Sequence, residues 1–398
     1  MLKGMTYRLY PTREQETLLA KSFGCARYAY NWAIDVRSKA YAQGQKTPSR
    51  FDLDKLMTAE KKTKPWLSET SDWVLKEAIS HACSAYENFF AKRSGFPRFK
   101  SKHNAMQSAT WRRPTIRGKN HVHIPRIGAM RFREHRLLEG EIKTVTISRH
   151  ASGRYYISFL VDDGRKCTPK PKHAKTAVGI DVGIENFCTL STGEKVANPR
   201  FRKSSQTRIA KLQKKLARQK KSSNRYKETK RKLAREHEKV ANKRHDFLNT
   251  LSTRLVNENQ VIAVEDLNVK GMLANHRLAA DIADASWSEF IRMLEYKSEW
   301  YGTHLLSCGR FDPSSKMCSA CGQIQTDMPL SVRTWECPEC GRRHDRDVNA
   351  AVNILNFAVA STVNGRGEKV RLASVEGYPF AEPSASRRSV KPLALAMG

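Results

Sequence analysis

Thr176-Ala177-Val178-Gly179-Ile180-Asp181-Val182-Gly183 is a short apolar run, broken by glycine, with one acid near its end. A second strand signal follows from Phe187 to Leu190, so the pair predicts a hairpin with Asp181 pointing into a cleft. Further on, Val261-Ile262-Ala263-Val264 is too short for a helix, fits a sheet-core strand and ends in Glu265. A carboxylate buried there alone is costly, so it needs a partner or a cation. A third acid lies in His344-Asp345-Arg346-Asp347-Val348-Asn349-Ala350-Ala351, where Ala350, Ala351, Ile354 and Leu355 begin a helix. Asp345 and Asp347 compete here, one as the N-terminal cap and the other as a ligand. Taken singly, each acid is readily a cap or an ion-pair partner. Their joint order on three elements is the pattern of a carboxylate cluster that holds two divalent metals and hydrolyses phosphodiester bonds. Hard oxygen donors without histidine suit Mg2+.

Between Glu265 and Asp347 stand Cys318-Ser319-Ala320-Cys321 and Cys337-Pro338-Glu339-Cys340, with fifteen residues between the pairs. Two such knuckles offer four thiolates for one tetrahedral Zn2+, among the most specific patterns a sequence carries. Redox motifs or disulfides are the competing explanation, but nothing in the chain marks an oxidising compartment. Cys25, Cys83, Cys167, Cys188 and Cys308 sit in apolar contexts and are expected to be small core residues.

Lys and Arg number 72 against 39 Asp and Glu, a formal net charge of +33, far above the ~2 to 8 units that suffice for solubility. Such a chain repels itself unless it meets a polyanion. Its 398 residues allow two or three domains. There is no signal-peptide pattern, no lipidation motif and no apolar span near the ~20 residues of a membrane crossing. A reducing cytoplasm is the expected setting, with no membrane partner.

Along the chain, a strand signal from Met5 to Tyr10 stops at Pro11, and Leu19, Phe23, Ala26, Tyr30 and Ala33 then recur at helical spacing. A second helix is predicted around Val74, Ala78, Ala82 and Tyr86, flanked by Leu75, Ile79 and Cys83, with its aromatic stripe in the core rather than serving as a base-stacking platform. From about Gln107 to Val161 the pattern is β. Val122 and Ile124 alternate with His121 and His123, which read as one polar strand face rather than metal ligands, and His150-Ala151-Ser152-Gly153 is a turn between two strands. Lys166 to Lys175 reads as a linker. Residues 200 to 245 hold nineteen Lys or Arg against three acids. Ile209, Leu212 and Leu216, a break at Ser222-Ser223-Asn224, then Leu233 and Val240 predict a helical hairpin. So unbalanced a run is expected to face phosphates, with Lys214, Lys215, Lys220 and Lys221 as candidate contacts. Periodicity is lost from about Val359, so residues 359–398 are expected to be a disordered tail.

Gly179-Ile180-Asp181-Val182-Gly183, Glu265-Asp266-Leu267, Arg333-Thr334-Trp335 and Asp345-Arg346-Asp347-Val348-Asn349-Ala350-Ala351 resemble the TnpB family of transposon-encoded, RNA-guided nucleases related to type V CRISPR effectors. Phe23-Gly24-Cys25-Ala26-Arg27-Tyr28, Gly95-Phe96-Pro97-Arg98-Phe99-Lys100 and Ser286-Trp287-Ser288-Glu289-Phe290-Ile291 extend the likeness over nearly the whole chain. In the family pattern the third catalytic Asp precedes Asn by two residues, which selects Asp347.

The resemblance implies an α/β fold: an RNase H-like, RuvC-type nuclease domain (171–312 and 341–358, with the basic hairpin at 200–245) and an inserted zinc ribbon (313–340). Before it would come a small wedge-like β-barrel (1–12 and 104–165) carrying a helical recognition insertion (13–103). It implies a DNA endonuclease that cleaves beside a short adjacent motif. Its partners would be a guide RNA from the same element and double- and single-stranded DNA. Two Mg2+ ions would sit on Asp181, Glu265 and Asp347, and one Zn2+ on the four knuckle cysteines. The setting would be a prokaryotic, nucleoid-associated monomer. The wedge and insertion would flank the adjacent-motif duplex, making Arg112 and Arg113 candidates for base or phosphate contact. A transposase would use the same acids without RNA, whereas a nuclease-inactive guided binder would be expected to have lost part of the acid set.

Overall fold

Pro11 has no N–H to extend a ladder, so the opening strand β1 (Leu2–Tyr10) stops there and a helix begins at once. Thr12 and Gln15 form a reciprocal capping box at the start of α1 (Arg13–Ala42), which buries Leu19, Phe23, Ala26, Tyr30 and Ala33 on one face as the spacing predicts. In the computed structural model the residues described are 1–103, 106–165, 176–310, 312–329 and 331–365. The expected linker at 166–175, Cys167 within it, and the chain beyond 365 lie outside them.

Contacts divide the chain into two units, Met1–Lys166 with Ser205–Ala241, and Cys167–Ser204 with Asn242–Gly398. In the first, α1 is followed by α2 (Arg50–Thr63), which the sequence pattern does not single out, and by α3 (Asp72–Phe90). Strands β2 (Gln107–Arg112), β3 (Thr115–Arg117), β4 (His121–Ile124), β5 (Gly128–Arg133), β6 (Glu141–Arg149) and β7 (Tyr155–Asp162) join β1 in an antiparallel sheet of order β2-β6-β7-β1-β5-β4-β3. The helices are thus inserted between the first strand and the rest of its sheet. The expected barrel is found as a seven-stranded sheet with β2 and β3 at its edges, not hydrogen-bonded to each other among the described residues. Trp111, Phe132, Phe159, Tyr7 and Phe23 fill one core between sheet and helices. Val122 and Ile124 are buried while His121 is exposed and His123 half-buried, as the alternation requires.

The second unit opens with β8 (Ala177–Val182), β9 (Asn186–Leu190) and β10 (Lys195–Ala197). The basic stretch forms α4 (Phe201–Ala217) and α5 (Asn224–Glu258), broken where expected. Most of it, Ser205–Ala241, however, belongs with the first unit rather than with the nuclease half. There Glu238, almost wholly buried, accepts hydrogen bonds from Ser152 Oγ (3.0 Å), Tyr156 Oη (2.9 Å) and Arg154 (3.1 Å) on the β6–β7 turn and β7. Next come β11 (Val261–Glu265), α6 (Val269–Met272), α7 (Ala279–Ala285), α8 (Trp287–Tyr301) and β12 (His304–Cys308). A two-stranded ribbon, β13 (Thr334–Glu336) with β14 (Arg343–Asp345), precedes the last helix α9 (Arg346–Gly365). The ribbon therefore reaches past residue 340, and the helix runs on beyond 359, where the tail was expected to begin.

The sheet order here is β10-β9-β8-β11-β12, three antiparallel strands continued by two parallel ones. Parallel neighbours need long crossovers, which α4–α5 and α6–α8 provide. On one face Val178, Ile180, Ile262 and Val264 pack with residues of α5 and α8, including Leu248, Leu255, Phe290 and Leu294. The opposite face, with Gly179 and Ala263, is covered by α9.

Candidate active site

Strands β8 and β11 run parallel with Ile180 opposite Val264, so Asp181 and Glu265 are one step further on, at neighbouring strand ends and on the same face. That face is the one under α9. The helix can approach because residue 179 is glycine: a Cβ there would stand 2.0 Å from the carbonyl oxygen of Ala351. This close approach brings the first turn of α9, and Asp347 with it, over the strand ends.

Asp181 is the hub of the cluster. Its carboxyl is pushed up to about 7 by burial first, then by the charges of Asp347 and Glu265, with Arg346 opposing. Glu265 is also raised, by burial and by Asp266 and Asp312. The cluster is a shared field rather than a closed shell: among the described residues, only the four knuckle cysteines bring ligand atoms all within 4.8 Å of one another. Stacked carboxylates of this kind are relieved by a cation, and their hard oxygens fit Mg2+. A cleft of about 640 Å3 opens between α8 and the ends of β11 and β12, but Glu265 is the only one of the three acids that lines it.

Asp345 and Asp347 stand in different settings at the start of α9. Asp345 Oδ1 accepts from the Val348 N–H at 3.1 Å, the geometry of an N-terminal cap on α9, and its other oxygen meets Lys195 Nζ at 2.6 Å. Asp347 lies within the first turn of α9, with Arg333 at 3.8 Å; the same guanidinium reaches Glu185 at 2.8 Å.

The cysteines converge as the spacing predicts. Cys318 and Cys340 sulfurs are 3.7 Å apart, Cys321 and Cys337 3.5 Å. A tetrahedron with metal–sulfur bonds of about 2.3 Å has edges near 3.8 Å, so the four sulfurs fit one zinc ion. Each knuckle turns through a glycine in the left-handed region, Gly322 (φ +80°) and Gly341 (φ +67°), whose N–H closes on the carbonyl of the first cysteine at 2.9 and 2.8 Å. Cys25, Cys83, Cys188 and Cys308 are buried and free.

Sequence reasoning assigned no role to the residues that join the two centres. Asn349 donates to Met317 O (2.7 Å) and accepts from Ser319 N–H (2.9 Å), while Asn353 donates to Ser314 O (2.7 Å) and Met317 O (2.6 Å). Two asparagines four apart on an otherwise apolar helix face were the available signal. Buried His344 places Nε2 3.1 Å from Cys318 Sγ and packs on Trp335. Buried Arg346 donates to the carbonyl of Pro329 at 3.0 Å.

The proposed nucleic-acid contacts lie elsewhere. Lys214, Lys215, Lys220 and Lys221 are all exposed around the hairpin break. Arg112 Nε bonds Glu77 at 2.5 Å, and its guanidinium lies 5.5 Å from the Trp73 ring centroid, so β2 and α3 orient it jointly. Arg113 is exposed, with φ +50°. No helix of the described residues is long and apolar enough to cross a membrane.

Three family models match parts of the chain: “Probable transposase” over residues 157–276, “Cas12f1-like, TNB domain” over 287–354, and “Helix-turn-helix domain” over 1–46. The last segment folds here as β1 and one long helix. A Streptomyces pristinaespiralis protein named “Putative RNA-guided DNA endonuclease” is 43% identical over 92% of this chain and 91% of its own length. InsQ of Escherichia coli K12, named in the same words, is 30% identical over 93% and 95%. The mimivirus “TnpB-like protein L79” is 27% identical over 88% of this chain and 72% of its own. A solved Cas12f1–sgRNA–target DNA complex aligns over 89% of this chain and 99% of its own at 14% identity and a TM-score of 0.49, too loose a likeness to carry an argument. Identity of this degree over nine-tenths of both sequences leaves one conclusion about descent: the chain belongs to the TnpB family of transposon-associated proteins.

Proposed function

We propose that this protein is an RNA-guided DNA endonuclease of a transposable element, with Asp181, Glu265 and Asp347 as its catalytic carboxylates. The observation that carries this reading is the gathering of three acids from β8, β11 and α9 at one edge of the sheet, where burial first, and then the charges of Asp347 and Glu265, lift Asp181 to about 7. They stand in a chain whose formal charge of +33 otherwise calls for a polyanion. The mixed sheet, three antiparallel strands followed by two parallel ones, supports an RNase H-like, RuvC-type domain.

Two Mg2+ ions bound there would activate the attacking water and stabilise the leaving 3′ oxygen. The chain's own part is to fix the carboxylates: β8 and β11 by register, Asp347 by the capped first turn of α9. Cys318, Cys321, Cys337 and Cys340 hold one structural Zn2+. A guide RNA from the same element pairs with one DNA strand, and Arg112 and Arg113 contact the duplex beside the target. The hairpin lysines Lys214, Lys215, Lys220 and Lys221 meet phosphates.

Asp181→Ala, Glu265→Ala and Asp347→Ala are each expected to reduce guided cleavage by about a thousandfold or more while guided binding stays nearly intact, because no phosphate-binding cation is lost. Asp345→Ala, which removes a cap worth about 1 kcal/mol, keeps substantial activity. A dead Asp345 variant beside an active Asp347 variant would reverse the assignment, and cutting without any RNA would favour a transposase.

The partner reading has its own check. Changing Lys214, Lys215, Lys220 and Lys221 together to Gln should flatten the slope of log affinity against log salt by roughly 0.7 to 0.9 for each phosphate no longer neutralised. An unchanged slope returns the hairpin to a solvated face. In the same preparations, Arg112→Ala should relax one position of a randomised adjacent motif if it reads a base, or depress cutting on all motifs equally if it grips phosphate.

A further inference from the structure

The aromatic stripe of α3 is core at Tyr86, 7% exposed, but not where the helix ends. Phe90 is 71% exposed, and Phe96 and Phe99 on the loop that follows are 54% and 62% exposed. Single apolar residues at a surface are ordinary, whereas three large rings within ten positions call for a partner. The rings of Phe90 and Phe96 are fixed rather than splayed. Phe89 meets Phe96 edge-on and Phe90 at a tilt, both with centroids 5.4 Å apart; Tyr86 is stacked 6.4 Å from Phe90 and edge-on 5.7 Å from Phe96. The far end of the loop, next to Phe99, is tied to α1 by Asn31, which accepts from the Lys100 N–H (2.7 Å) and donates to the Lys100 carbonyl (3.0 Å), while Pro97 is buried.

The rim of this patch is cationic. Residues 88–103 carry Lys92, Arg93, Arg98, Lys100 and Lys102 and no acid. Arg37 lies 4.8 Å from the centroid of Tyr86 and Lys100 3.9 Å from that of Tyr30. An apolar protein partner gains nothing from such a rim. Flat rings held beside a run of cations match the two parts of a single strand, π-faced bases and phosphates.

We propose that Phe90, Phe96 and Phe99 form a stacking platform for unpaired nucleobases of a bound single-stranded segment, with Lys92, Arg93 and Arg98 beside its phosphates. This rests on the nucleic-acid-binding part of the function proposed above and is independent of the carboxylate chemistry.

The test uses the full chain and a labelled single-stranded oligonucleotide, with and without 5-iodouracil, which photocrosslinks to stacked aromatic side chains. All three rings are exposed, so Phe90→Ala, Phe96→Ala and Phe99→Ala should melt like the parent. Each should weaken binding roughly 5- to 100-fold and the combination should weaken it further, with the salt slope unchanged, since no cation is removed. Tyr at the three positions should restore affinity and Leu should not, and crosslinks should map to peptides containing Phe90, Phe96 or Phe99. The proposal is overturned if the parent binds the strand while the alanine variants bind equally well and crosslinks fall elsewhere. Loss of self-association in those variants, with strand binding intact, would mark a protein-binding surface and also overturn it. Failure of the parent to bind any strand would sink the nucleic-acid reading itself.

Discussion

The cysteine centre and the carboxylate centre are held at opposite ends of a few residues of one helix and ribbon, yet they are finished to different degrees. The four sulfurs already stand within 4.8 Å of one another, 3.5 and 3.7 Å in two pairs, each knuckle locked by its own backbone turn. The three carboxylates come from three separate elements and share a field without sharing a shell. A site whose job is to hold the chain together gains from satisfying every coordination position with protein. On the function proposed above, the other must admit water and a phosphate oxygen and so leaves positions free, and the chain bears the resulting repulsion between its acids.

The largest effect that would sharpen this contrast is expected at the closed site. Cys337→Ser should release the ribbon's metal and expose residues 313–345 to proteolysis, because apparent binding free energies of about 10 to 16 kcal/mol in small zinc modules are folding free energy. Metal analysis finding no zinc in freshly purified parent protein would break the comparison at once. Gly179→Ala should act at the open site, where a methyl would meet the Ala351 carbonyl. Overpacking against backbone costs about 1 to 3 kcal/mol, and the displaced α9 should cut activity more than this loss of stability explains. Thermal melting paired with cleavage rates separates the two, and an active, equally stable variant would show that close approach of α9 is dispensable.

A smaller effect comes from a third buried charge. Lys297 Nζ is surrounded by Asn249 O (2.7 Å), Asn249 Oδ1 (2.8 Å), Ser252 Oγ (2.8 Å) and Thr253 Oγ1 (2.7 Å), and burial lowers it to about 8. Neutral oxygens satisfy this charge, whereas like charges crowd Asp181. Between pH 8 and the ordinary lysine value the unfolded chain binds the extra proton, so stability should rise with pH across that window, by at most roughly 3 kcal/mol. Chemical denaturation at pH 8 and pH 10 should show the rise in the parent and not in Lys297→Met. Equal slopes in both would show that the amine is not desolvated.

Much of the second unit was legible in the sequence because its signals are local. Val261–Glu265 is a strand to the residue, since a strand buried on both faces is a continuous apolar run. Glycine inside an apolar run marked β8, while the close approach of α9 to Gly179 appeared only in the structure. The knuckles carry their geometry in four residues each. What stayed hidden depends on tertiary neighbours. The sequence could not separate Asp345 from Asp347 by chemistry alone, because capping is decided by which backbone N–H lies within reach; the family pattern chose Asp347 and the structure supplies the cap. It left α2 unmarked, where only Leu53 and Met57 are buried on a weak stripe. The hairpin was assigned by chain order to the nuclease half, while Ser205–Ala241, Glu238 with its partners included, belongs to the first unit.

The asparagine pair on α9 has a consequence for anyone wishing to trim or exchange the ribbon. Asn349 and Asn353 each use their side-chain amide to hold carbonyls of the 314–317 turn, and Asn353 is completely buried. Excising the ribbon would leave those amides facing nothing, at about 1 to 3 kcal/mol for each buried donor, in the helix that also carries Asp347. The ribbon is therefore no detachable cassette. A graft from another protein would have to bring carbonyls to the same two asparagines, or bring its own helix with it.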